Sequence, residues 1–99
     1  MKHFVIILQY VKPMETIDQH LDSHRSFLDE GYKSGMLLAS GPQNPRSGGI
    51  VLGRAETVKQ MRNFFLRDPF YIYGCAEYNF IEFIPVKYQS KFKSWFVDI

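Results

Sequence analysis

The residues able to move protons or bind oxygen cluster in a few short stretches. QHLDSHRSFL, residues 19 to 28, holds His20 and His24 four positions apart, so in a helix their rings lie on neighbouring turns. At 100° per residue, Ile17, Leu21, His24, Leu28 and Tyr32 share one stripe roughly 80° wide. Asp18, Gln19, Asp22, Ser23, Ser26, Asp29, Glu30 and Lys33 take the other side. An imidazole inside an apolar stripe has two explanations. It is a core histidine bonded to a carbonyl, or it faces a cleft and serves as general base or acid.

The H-x3-H spacing also suits two metal ligands. A third ligand is missing because residue 21 is Leu, so no metal site is expected and His20 reads as a residue at the cleft edge. Asp68, in RDPF, fits the N-cap of a turn or short helix with proline at its first position. A carboxylate beside His24 would also fix the imidazole tautomer. Ser40-Gly41-Pro42 could simply turn the chain. It could also let a ligand approach the backbone, with Ser40 and Tyr10 binding oxygen atoms. A Ser40–His24–Asp68 relay lacks any nucleophile-elbow motif. SGG at 47 to 49 lacks the spacing of a phosphate loop, and no cofactor is expected.

The elements that position these residues follow from pattern. HFVIILQY, residues 3 to 10, reads as a strand that Lys12-Pro13 breaks. Thr16-x-x-Gln19 has the form of a capping box, predicting a helix from about 16 to Lys33 that Ser34-Gly35 stops. MLLAS (36–40) and GIVLGR (49–54) read as two strands joined by the loop GPQNPRSGG. Residues 55 to 67 read as a helix with Thr57 as a possible cap, Val58, Met61, Arg62 and Phe65 on one side, and Asp68-Pro69 at its end. AEYNFIEFIPV, 76 to 86, reads as a fourth strand stopped by Pro85. The order is βαββαβ, a ferredoxin-like α+β fold with two helices on one face of an antiparallel sheet. Residues 1–86 are expected to form the domain, and residues 87–99 an aromatic and basic tail with Phe92, Trp95 and Phe96 at amphipathic-helix spacing.

The first strand puts Val5 and Ile7 on one face and Phe4, Ile6 and Leu8 on the other. Two helices cover only one face, and soluble monomers rarely expose a large apolar patch. A homodimer with sheets face to face, or a higher oligomer, is therefore expected.

Ninety-nine residues make one domain, and 45% apolar with 16% aromatic composition is globular. A net charge of +2 gives no basic stripe before the tail, and nucleic acid is not an expected partner. The lone Cys75 excludes an internal disulfide, suits a reducing compartment and reads as a small residue at the start of a strand. The apolar run Phe4 to Leu8 is far short of a membrane span or secretory signal, so a cytoplasmic protein is expected.

The segment HLDSHRSFLDEGYKSGMLLASGPQNPRSGGIVL, followed by RDPF and YNFIEFIPVK, resembles the YciI-like (YCII-related) family over about residues 3 to 87. The resemblance implies a place in the dimeric α/β-barrel superfamily and an active site pairing His24 with Asp68, with Ser40 and Gly41 at the cleft. It covers none of the tail SKFKSWFVDI. The expected function is cofactor-free proton transfer by a His/Asp pair, lyase- or isomerase-like, on a small oxygenated or cyclic compound. A dimeric module that binds such a ligand without turning it over is the alternative, since both would use the same residues.

Overall fold

A computed structural model describes residues 1–97. The elements are β1 (Lys2–Tyr10), α1 (Met14–Lys33), β2 (Leu37–Pro42), β3 (Gly48–Ala55), α2 (Val58–Phe65), a single turn α3 (Pro69–Ile72) and β4 (Ala76–Phe83). A 3₁₀ turn, Ser90–Phe92, then leads into α4, Lys93–Phe96. The strands form one antiparallel sheet in the order β2-β3-β1-β4, which is the ferredoxin-like βαββαβ arrangement.

Period-2 alternation decides which side chains meet the helices. Phe4, Ile6 and Leu8 of β1 and Val51 of β3 are buried against Ile17, Phe27 and Leu28 of α1 and Met61, Phe64 and Phe65 of α2. The helices stay in place because each such buried side chain contributes roughly 1.5–3 kcal/mol. Gly48 is required where β3 passes β1, since a Cβ there would collide with the Leu8 carbonyl.

Several elements differ from the expected pattern. The Thr16-x-x-Gln19 box is not used: Pro13 occupies the N-cap with no side-chain cap, and its carbonyl accepts from the Thr16 and Ile17 amides. The helix therefore starts at Met14. Phe27 and Gly31 complete its buried face, while Tyr32 stays largely exposed. Gly35, at φ 78°, ends it as expected.

Helix α2 is shorter than residues 55 to 67, because Ala55 closes β3 and Thr57 caps the helix by accepting from the Gln60 amide. Its buried residues are Met61, Phe64 and Phe65; Val58 and Arg62 are exposed. β4 stops at Phe83 rather than near Pro85, because its partner β1 ends in the His3–Phe83 pair.

The outer face of the sheet carries Val5, Ile7, Ile50, Leu52, Ile81 and Phe83. The tail folds back onto one end of that face. Phe96 packs 5.1 Å from the His3 ring, and Arg54 lies 3.8 Å over the Trp95 ring while donating to its carbonyl. No helix among the described residues is long and apolar enough to cross a membrane.

Candidate active site

Asp68 ends the α2–α3 connection in an extended conformation and caps α3, with Pro69 supplying the preset φ of the first helical position. One carboxylate oxygen, Oδ1, accepts the Phe70 amide at 3.0 Å, the local cap that the Asp-Pro pair predicts. The same oxygen accepts His24 Nδ1 at 2.8 Å from the third turn of α1. The other, Oδ2, accepts the Tyr78 hydroxyl of β4 at 2.6 Å. Asp68 is fully buried, so the charge is held by three donors from three elements rather than by water. The cap that the Asp-Pro pair predicts and the contact with His24 are made by the same side chain.

His24 is buried among apolar neighbours, its ring stacked on Phe70 at 4.0 Å and 9°. A carboxylate only accepts hydrogen bonds, so Nδ1 carries a proton, and whenever the ring is neutral Nε2 is the nitrogen with the lone pair. Nε2 makes no hydrogen bond among the described residues. The ring lines a cavity of about 160 Å³ between α1 and the β2–β3 edge, with Leu8, Leu28, Val51, Ser40, Gly41 and Arg25 among its walls. An aspartate bonded to one nitrogen of an imidazole that lines a cavity is an arrangement that fits a general base.

Tyr78 was not legible as a site residue. Burial, then the neighbouring Asp68 charge, pushes its hydroxyl far above the usual phenol range, so it stays a neutral donor. The available signal was its parity with Phe80 on the inner face of β4, where a phenolic hydroxyl needs a partner.

The structure brings His24, Asp68, Ser40 and Gly41 together and leaves two candidates elsewhere. His20 stacks on Tyr73 at 4.2 Å and does not line the cavity. Tyr10 meets Phe70 edge-on and lines a separate hollow of about 380 Å³ with Gln9, Met14 and Arg46. Gly41 lies inside β2, paired with Ile50, and does not turn the chain. A Cβ there would meet nothing within 4 Å.

The Ser40 hydroxyl bonds the Tyr32 hydroxyl at 2.6 Å and makes no hydrogen bond to His24. A Ser–His–Asp relay therefore lacks its nucleophile–base contact. No group of three or more His, Cys, Asp or Glu suited to a metal occurs among the described residues.

The fold and site define a ferredoxin-like α+β domain with a buried His–Asp pair beside a small cavity. Residues 3–84 match the YCII-related domain, and the chain belongs to that family. Among solved structures it is similar to 5-chloro-2-hydroxyhydroquinone dehydrochlorinase from Burkholderia phenoliruptrix AC1100, in complex with 2,5-dihydroxybenzoquinone. That likeness has a TM-score of 0.67 at 17% identity, covering 82% of this chain and 90% of the other. It supports the fold alone. No curated protein sequence matches the chain.

Proposed function

We propose that the protein is a small-molecule enzyme in which His24 transfers a proton on a small cyclic, oxygenated compound and Asp68 holds its imidazole in the Nδ1–H tautomer. The observation that carries this reading is the 2.8 Å bond from His24 Nδ1 to a fully buried Asp68 whose Oδ2 is also occupied by Tyr78, on an imidazole that lines the cavity. The cavity volume of about 160 Å³ is on the scale, roughly 150 Å³, that admits one six-membered ring. Apolar walls with a few convergent polar groups suit such a ligand. The dehydrochlorinase named above acts on a compound of this kind, which makes lyase chemistry the first to try here.

The reading includes a homodimer. Ile50, Ile81 and Phe83 remain 39–42% exposed on the uncovered sheet face, an apolar surface that a second copy of the same face would bury.

Turnover of 5-chloro-2-hydroxyhydroquinone, followed as chloride release, tests the proposal. Wild type is expected to release chloride, and His24→Asn and Asp68→Asn to lose at least about 100-fold in rate. Equal rates in all three proteins would overturn the dyad mechanism. Binding of 2,5-dihydroxybenzoquinone without any turnover would move the protein to the ligand-binding module.

A further inference from the structure

We propose, on the reading that this cavity is the ligand site, that Arg25 is its anion-binding side chain and that the ligand is a small planar ring compound carrying an ionised oxygen. The first support is the engagement of every other arginine. Arg46 pairs with Asp18 at 2.7 Å and Arg67 with Glu30 at 3.3 Å. Arg54 stacks on Trp95, and Arg62 sits 5.1 Å over Phe80. Arg25 makes no ion pair, hydrogen bond or ring contact among the described residues. This holds even though Asp29 stands four residues along the same helix, at a spacing where such pairs form.

The second support is the charge of the walls. Arg25 and His24 line the cavity, and no carboxylate does. The nearby acid of the site, Asp68, lies behind the imidazole with both oxygens occupied. The cavity is thus lined by Arg25, Ser40 and the His24 imidazole, with no negative group to oppose an anion.

A guanidinium offers planar, parallel N–H donors and holds its hydration weakly, which suits an ionised oxygen on a flat ring better than an ammonium would. Leu8, Leu28 and Val51 supply the apolar wall for the ring itself. Proton removal next to a carbonyl would also place negative charge on a ring oxygen, and Arg25 would favour that charge. A neutral ring of equal size gains the apolar contact only.

Benzoate and benzamide have nearly the same size and shape and differ in charge, so they isolate the term. Both would be titrated by NMR into wild type, Arg25→Gln and Arg25→Lys. Arg25 is exposed on α1, and neither substitution touches the core. Wild type is expected to bind benzoate roughly tenfold more tightly than benzamide, the preference weakening with added salt. Arg25→Gln should abolish the preference by weakening benzoate alone, and Arg25→Lys should restore part of it.

An unchanged preference in Arg25→Gln, equal affinity for both ligands in wild type, or no binding of benzoate would overturn the assignment. The preference is independent of proton transfer. His24→Asn that loses turnover and keeps the benzoate preference supports Arg25, whereas Arg25→Gln that keeps the preference removes Arg25 and leaves the dyad untouched.

Discussion

The two faces of the sheet are built from alternate residues of the same strands, and they solve opposite problems. On the inner face Phe4, Ile6, Leu8 and Val51 are buried to within 2% by two helices, and one polar cluster, His24–Asp68–Tyr78, is enclosed with them. Its hydrogen bonds are mutual, so it can sit in an apolar core. On the outer face the apolar side chains stay partly open, and the tail covers only the His3 and Arg54 end. One face is closed around the cluster proposed to transfer a proton. The other keeps apolar side chains partly exposed, the surface assigned to the proposed dimer.

Substitutions on the two faces should separate these roles. The largest effect is expected from Asp68→Ala, which strands the Tyr78 hydroxyl, the His24 Nδ1–H and the Phe70 amide. It should cost about 3–5 kcal/mol in urea unfolding. A loss below about 1 kcal/mol would mean that the inner cluster is not a closed network.

Next comes Ile81→Lys on the outer face. It should shift the mass in light scattering from about twice 11.6 kDa to a single chain, while changing intrinsic monomer stability by no more than about 0.5 kcal/mol. Wild type that is monomeric at all concentrations would remove the assembly from the comparison.

Tyr78→Phe is the intermediate case, with an expected loss of about 1–2 kcal/mol near neutrality. It also carries a pH signature. The folded phenol is raised above its unfolded value of 10.0, so above that pH the unfolded state ionises first and binds fewer protons. Stability is full below about pH 10 and falls as pH rises beyond it. Tyr78→Phe should flatten that fall in unfolding measured from pH 9 to 11.

Truncation after residue 86 should have the smallest effect. The tail contributes the Arg54–Trp95 and His3–Phe96 contacts, and losing it should cost about 1 kcal/mol. The shortened chain should still fold, in keeping with a proposed domain boundary at 86. Its collapse would make the tail part of the core.

How far the sequence could lead differs between the faces in the same way. Alternation in β1 told inside from outside because each residue there answers to one rule, burial by parity. His24 stood out because an imidazole is foreign to an apolar stripe. Asp68 was visible through its local task, since the Asp-Pro cap is a contiguous pattern.

The third member was hidden. Tyr78 joins Asp68 from ten residues away on another element, and tyrosine on a strand is unremarkable until its hydroxyl needs a partner. The same limit displaced Tyr10 and His20. Their type and proximity in sequence suited the cleft, but their rings found Phe70 and Tyr73 instead. Stacking partners across elements are not written in local spacing. The capping box failed for a nearer reason, since Pro13 had already started the helix two residues earlier.

The dyad proposed for the inner face depends on which nitrogen of His24 carries the proton. ¹⁵N-resolved NMR of the imidazoles in wild type, at a pH where the ring is neutral, reads this directly. A protonated, slowly exchanging Nδ1 with an unprotonated Nε2 would agree with Asp68 as the orienting acceptor and leave Nε2 free to take a proton in the cavity. A protonated Nε2 in the neutral ring would contradict the dyad, because Nε2 would then be a donor with no lone pair to act as base and Nδ1 could not donate to Asp68.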